Sequence, residues 1–368
     1  AEAPKLVSSS LTWEKIKSTN IGLDVAALNN RLTGSFDYFI RKTEDMMGPG
    51  IELPAALGTN VPPTNNTDMK TYGWELQIGW RDQIGDFKYG AKLSLSDSQS
   101  KILRYGNPTG SLSKYVEGEL IGNIYGYTTI GIAKTDEEMQ QHLASLPNGG
   151  QSALGSQWAA GDIMYADLNG DGKINNGSYT INDMGDMKKI GNSTPRFMTG
   201  INLDAAYKGW DLQMFWQGVL KRDWWPGDKN MTFWGVTDGE WWSTSFKEHL
   251  DYFRTSENPL GENLNSYYPR PIFNTKNNKS QTRYLQNAAY MRLKNIQVGY
   301  TFPKVWINKL MLQNLRIFVS GENLLTITSL SDTMDPETCG AGYQSTEQAN
   351  GTVYPLAKTI SFGLSVNF

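Results

Sequence analysis

Between Asp167 and Asn175 the chain reads Asp-Leu-Asn-Gly-Asp-Gly-Lys-Ile-Asn, with an oxygen-bearing side chain at nearly every second position. A backbone wrapping a hard divalent cation presents its ligands at that spacing, and a glycine at the sixth place permits the sharp turn. The pattern predicts a structural Ca²⁺ site using the side chains of Asp167, Asn169 and Asp171 and the carbonyl of Lys173. Ser178 occupies the twelfth place, where a bidentate Glu is usual, so a carboxylate beyond a short insertion must close the site. Asp183 is the residue assigned to that role, with Asp186 as the alternative. An Asx- and Gly-rich turn holding no ion is the competing reading.

Aromatic side chains are the second concentration of chemistry. Seven of the twelve tryptophans fall between residues 210 and 242. Five of them, Trp224, Trp225, Trp234, Trp241 and Trp242, share one long connection with Tyr267 and Tyr268. A Trp ring offers a flat apolar face and a polar edge, which suits stacking on a sugar ring or packing against a protein. These five are the candidate substrate- or partner-facing residues. A long ordered connection must also bury something, so a loop mini-core competes for each of them.

Catalysis finds little material. Two histidines, His142 and His249, and a single cysteine, Cys339, are too few for a zinc triad, an iron–sulfur site or a disulfide framework. No nucleophile elbow or phosphate-binding glycine loop occurs. The carboxylate pair Glu137 and Glu138 sits on a predicted short helix, Asp136 to Leu146, that Thr135 caps and Pro147 ends. The expectation is a protein that is not an enzyme. A net charge of -3 over 368 residues leaves no basic footprint for nucleic acid.

Strands must position these residues. No apolar run approaches the roughly 20 residues of a spanning helix, but two-residue alternation recurs throughout. In the last segment Ile360, Phe362, Leu364, Val366 and Phe368 alternate with small or polar residues. Equivalent patterns predict nine strands, over 13–28, 32–43, 69–83, 87–100, 195–207, 210–220, 284–302, 315–327 and 356–368. The connections alternate short and long, with the long ones at about 44–68, 101–194, 221–283 and 328–355. In an antiparallel succession all short connections then fall at one end of the sheet and all long ones at the other. Transmembrane β-barrels have that asymmetry, and Trp80, Phe87, Tyr89, Trp210 and Tyr300 near the short-turn end read as an interfacial girdle. One strand departs from the pattern. In 284–302, Arg292 and Lys294 share a parity with Ile296 and Val298, which requires them to sit above the lipid band.

The opposite face carries Asp24, Asp37, Glu75, Gln77, Lys88, Lys92, Asn202, Asp204, Asp211, Gln213 and Gln217, read as the lining of a wet interior. Nine is odd, whereas bacterial single-chain barrels have even strand numbers. The expectation is therefore that the chain is the C-terminal portion of a larger barrel, with further strands before Ala1.

Six stretches resemble the C-terminal half of the SusC/RagA family of TonB-dependent outer-membrane transporters. They are 11–47, 161–175 (GDIMYADLNGDGKIN), 190–219, 290–304 (YMRLKNIQVGYTFPK), 315–326 (LRIFVSGENLLT) and the terminal SFGLSVNF. The resemblance implies an all-β fold, an antiparallel transmembrane barrel of 22 strands filled by an N-terminal plug that this chain lacks. It implies TonB-dependent import of a nutrient, chiefly an oligosaccharide, across the outer membrane of a Gram-negative bacterium, with a SusD-like surface lipoprotein as partner. A peptide importer of the same family is the alternative, and a soluble glycan-active β-protein a more distant one.

Overall fold

The computed structural model describes residues 11–49, 62–241, 243–339 and 355–368. Nine strands form one antiparallel sheet in which every strand pairs with its neighbours in sequence. They are β1 (Lys15–Ala27), β2 (Leu32–Gly48), β3 (Thr64–Ile84), β4 (Phe87–Arg104), β5 (Arg196–Tyr207), β6 (Trp210–Lys221), β7 (Tyr290–Thr301), β8 (Asn314–Thr328) and β9 (Thr359–Asn367). The expected antiparallel barrel wall is present, with tight turns at 28–31, 85–86 and 208–209. Left-handed backbone at Asn29, Asn30, Gly85 and Gly209 makes those turns possible.

Cross-strand registry turns the alternation into two continuous faces. One row runs through Val25, Gly34, Ile78, Leu93, Ile201, Trp216, Leu293 and Leu325 on eight successive strands. The adjacent row of opposite parity reads Asp24, Ser35, Gln77, Ser94, Gly200, Gln217, Arg292 and Thr326. The apolar face is open: Phe362 is 81% exposed and Ile21 69%. Water would penalise that much contiguous apolar surface, whereas lipid requires it.

Two strand starts, each by five residues or more, and one parity depart from the sequence expectation. β3 begins at Thr64 rather than 69, although Thr-Asn-Asn-Thr-Asp has no apolar alternation. Ion pairs support the ladder there: Arg104 grips Asp68 through Nε at 2.8 Å and Asp45 at 3.0 Å. β7 begins at Tyr290 rather than 284, because Gln286 and Asn287 pair instead with Asp223 and Trp224.

The third difference is a correction. Registry shifts by one residue between Leu293 and Asn295, opposite a matching irregularity in β8 where Asn323 has φ +53. This β-bulge inverts the parity, so Arg292 lies beside Gln217 on the polar face and Leu293 takes the apolar face. Arg292 is therefore not a charge above the lipid band. It points inward, 2.8 Å from Asp335 and 2.9 Å from Glu337, and Lys294 lies 3.1 Å from Glu337.

Candidate functional site

The long connections after β4, β6 and β8 build one packed unit. Tyr127, Trp158, Ile163, Tyr165 and Ile174 from the first share a core with Trp224, Phe233, Trp234, Tyr268 and Tyr284 from the second, and with Leu330, Met334 and Cys339 from the third. Phe233, Trp234, Tyr268 and Tyr284 meet mostly edge to face, with centroids 4.8 to 6.5 Å apart, a favourable arrangement of ring quadrupoles. Helix α1 (Asp136–Ala144) packs Met139 into this core, and Thr135 caps it by accepting from the Glu138 amide at 3.2 Å.

A buried ion network fastens the first two connections together. Asp162, fully buried, meets Arg270 and Lys276, each at 2.8 Å, and accepts from Asn277 Nδ2 at 2.9 Å. Lys276 also donates to the carbonyls of Ser156 and Gln157 and stands over the Trp158 ring. Burial alone pushes the Asp162 carboxyl up, but Arg270, Asn277 and Lys276 outweigh it and hold the group below the ordinary carboxylate range. Both histidines serve the packing. His249 accepts the Phe246 amide through Nδ1 and faces the Phe233 carbonyl, while His142 contacts Gln151. Burial lowers both imidazoles, so they stay neutral at neutral pH.

Between the first two connections opens a cavity of about 800 Å³. Tyr127, Tyr179, Trp224 and Trp225 give it aromatic walls; Asn176, Arg222, Asp228 and Lys279 supply polar atoms. Trp224 Nε1 is buried and has no hydrogen-bond partner among the described residues.

Asn176, which lines this cavity, directly follows the Asp167–Asn175 turn in sequence. Asp167 accepts the amides of Gly170 at 2.7 Å and Gly172 at 2.8 Å, both glycines in left-handed backbone. Asn169 accepts the Asp171 amide and Asp171 the Lys173 amide. Buried Ile174 anchors the turn to the core, its amide donating to Gly150 at 2.7 Å. Asp167, Asp171 and Asp186 each bring an oxygen within 4.8 Å of the others. Burial raises the Asp186 carboxyl, with the nearby Asp167 charge acting in the same direction.

The wall and its cap have counterparts among known proteins. Residues 3–186, half of the chain, match the family described as TonB dependent receptor-like, beta-barrel. The chain belongs to that family. TonB-dependent receptor P3 of Formosa agariphila is 30% identical over 98% of this chain and 35% of its own length. TonB-dependent receptor SusC of Bacteroides thetaiotaomicron is 24% identical over 99% of the chain and 33% of its own. A solved RagAB peptide transporter superposes with a TM-score of 0.68 at 21% identity, covering 97% of this chain and 36% of that one. This TonB-dependent receptor-like chain thus spans about a third of the length of the curated relatives it matches.

Within this receptor-like barrel the five candidate tryptophans have different fates. Trp234 is fully buried and Trp224 nearly so, both as core. Trp225 is half-buried and lines the cavity. Trp241 is 79% exposed, beside Pro271 and Phe273, and Trp242 lies outside the described residues. Of the five proposed cation ligands, Asp167, Asn169, Asp171 and Lys173 stand together in the turn. Asp183 is bonded elsewhere: its carboxylate accepts the Ser178 amide and hydroxyl at 2.8 and 2.7 Å, and Asp186 is the carboxylate that stands with Asp167 and Asp171. The hydrogen bonds that Ser178 donates hold the Asp183 carboxyl below the ordinary range. Tyr127, Tyr179, Asp228 and Lys279 escaped the sequence reading because up to 152 positions separate them, and no local pattern signals a meeting at that distance.

Proposed function

We propose that the chain is part of a TonB-dependent importer that carries a nutrient, chiefly an oligosaccharide, across the outer membrane of a Gram-negative bacterium. A SusD-like lipoprotein would cover the loop unit, and TonB would act through the plug region of the complete protein. The observation that carries this reading is the sheet with one apolar and one polar face, crowned at its long-connection end by a packed unit with an aromatic cavity. A soluble glycan-active protein would have to hide that apolar face.

In the cavity, the Trp225 and Tyr179 rings suit the C–H faces of a pyranose. Asn176, Asp228 and Lys279 provide the donors and acceptors that fix hydroxyl groups. Peptide cargo is the second reading: the RagAB structure is named as a peptide transporter, and Asp228, Lys279 and Arg222 could meet a peptide's termini. Binding of defined oligosaccharides and peptides to the purified full-length complex, read by calorimetry, decides between them. Glycan binding lost in Trp225→Ala supports the first reading. Peptide binding alone, lost in Lys279→Ala, replaces it with the second.

The turn at Asp167 would hold Ca²⁺ through Asp167, Asn169, Asp171, Asp186 and the Lys173 carbonyl. Three carboxylates within 4.8 Å repel one another, and a divalent ion removes that cost while stiffening the connection that forms one cavity wall. Calcium-dependent melting of the full-length protein, abolished by Asp171→Ala, is the test.

A further inference from the structure

The registry places four lysines side by side on the apolar face. Lys17 pairs with Lys42, Lys42 with Lys70, and Lys70 with Lys101, on strands β1 to β4. Each has the parity of the lipid-facing residues on its own strand: Ile21 and Leu23, Phe36 and Tyr38, Tyr72 and Trp74, Leu93 and Leu95. No bulge intervenes between them. Directly opposed like charges destabilise a sheet, so four in succession need an opposing charge. Among the described residues one carboxylate answers the row: Glu44 binds Lys17 at 2.6 Å. Lys70 rests over the Tyr72 ring. Two rows lower, Asp97 shares this face but is taken by Arg196.

Depth identifies the counter-charge. Lys70 stands ten positions from the girdle residue Trp80, about 33 Å along the strand and about 24 Å along the membrane normal at a typical tilt. That equals the height of a barrel's apolar band, about 25 Å. Beneath the lysines, Tyr72 is the aromatic residue nearest the border expected where hydrocarbon ends, with the pair Tyr38 and Trp74 one row deeper. The ammonium groups therefore emerge in the headgroup layer of the leaflet on the long-connection side. Strand tilt makes the row climb obliquely by about 9 Å, so successive lysines face successive depths of that layer.

We infer that Lys17, Lys42, Lys70 and Lys101 form a docking row for the phosphate groups of an anionic lipid in the outer leaflet. The row rests on the reading of this face as lipid-facing. Its ligand is a lipid headgroup rather than a soluble anion, because it lies on the outside of the wall, with an apolar surface for acyl chains directly below.

The test uses the full-length transporter, delipidated in neutral detergent and titrated with phosphorylated lipid A, phosphatidylethanolamine or inorganic phosphate, with bound mass read by native mass spectrometry. Lipid A is retained selectively by the wild type. Each lysine near an anionic headgroup contributes about five-fold, so K42Q/K70Q/K101Q binds about a hundred-fold more weakly. K42R/K70R/K101R keeps the binding, and K88Q/K92Q, on the opposite face, leaves it unchanged. Equal retention by the wild type and the triple glutamine variant overturns the inference, as does displacement by inorganic phosphate at the same concentration. Insertion into nanodiscs separates the two readings. A protein that inserts but shows no preference for lipid A fails this inference alone, whereas one that stays in buffer fails the transporter reading too.

Discussion

The wall and the cap obey opposite rules of burial. In the cap, large apolar side chains such as Phe233, Trp234 and Tyr284 are fully enclosed, and the charges at Asp162 and Lys276 are enclosed with them as satisfied partners. In the wall, Ile360, Phe362 and Leu364 stand open on one side while Ser94 and Gln217 line the other. One chain is thus written for two solvents. The cap is held together as a water-soluble domain is, by excluding water from a core. The wall is held by backbone ladders and by lipid, and its side chains decide which face meets which medium.

The contrast breaks most sharply in the cap. Trp234→Ala removes the largest fully buried side chain, and core truncations of this size cost about 3–5 kcal/mol. Hydrogen exchange should show the connections after β4 and β6 losing protection while the strands keep theirs. Simultaneous loss in the strands would mean that wall and cap are not separable. In the wall, Leu95→Arg places a charge on the lipid face four positions above the row of the girdle residue Trp80, where the cost rises toward the midplane value of about 2–4 kcal/mol. Its neighbour Ser94→Arg, facing inward, should refold into vesicles at nearly the wild-type urea midpoint. Equal penalties at the two positions would refute the assignment of faces.

Two smaller effects sharpen the picture within the cap. Calcium at about a hundred times its dissociation constant should stabilise the protein by about 2.7 kcal/mol, visible as a rise in melting temperature that Asp171→Ala or a chelator removes. Acid should loosen the cap before the wall. The folded-state pKa of Asp162 is depressed, so its contribution is present above the ordinary carboxylate pKa and fades as pH falls through the lower folded value. Protease nicking of the connection around Arg270 should therefore rise below about pH 4, and Asp162→Asn should make that nicking largely independent of pH.

The wall was readable because a period of two declares itself within a dozen residues, as in Ile360 to Phe368. Its errors came where the period failed. A single bulge at Lys294 inverted the meaning of Arg292, and the polar start of β3 has no alternation to read. The cap was legible in its local parts alone. Thr135 and Pro147 bracket a helix, and the Asp167 turn carries its own spacing. The choice of Asp186 over Asp183 depended on how the insertion at 176–180 folds back, and the division of the tryptophans into core, cavity wall and outer surface depended on contacts across more than a hundred residues.

The paired irregularity in β7 and β8 has a consequence for heredity. The extra residue, Lys294, is what keeps Arg292 inward: a step closed with Lys294 still in place would give Arg292 the parity of Ile296 and turn it toward the acyl chains, whereas deleting the Lys294 codon would restore plain alternation with Arg292 still facing the interior. Recombination between related genes is tolerated at this point: a crossover inside 292–295 between parents with and without the extra residue keeps Leu293 outward and Arg292 inward.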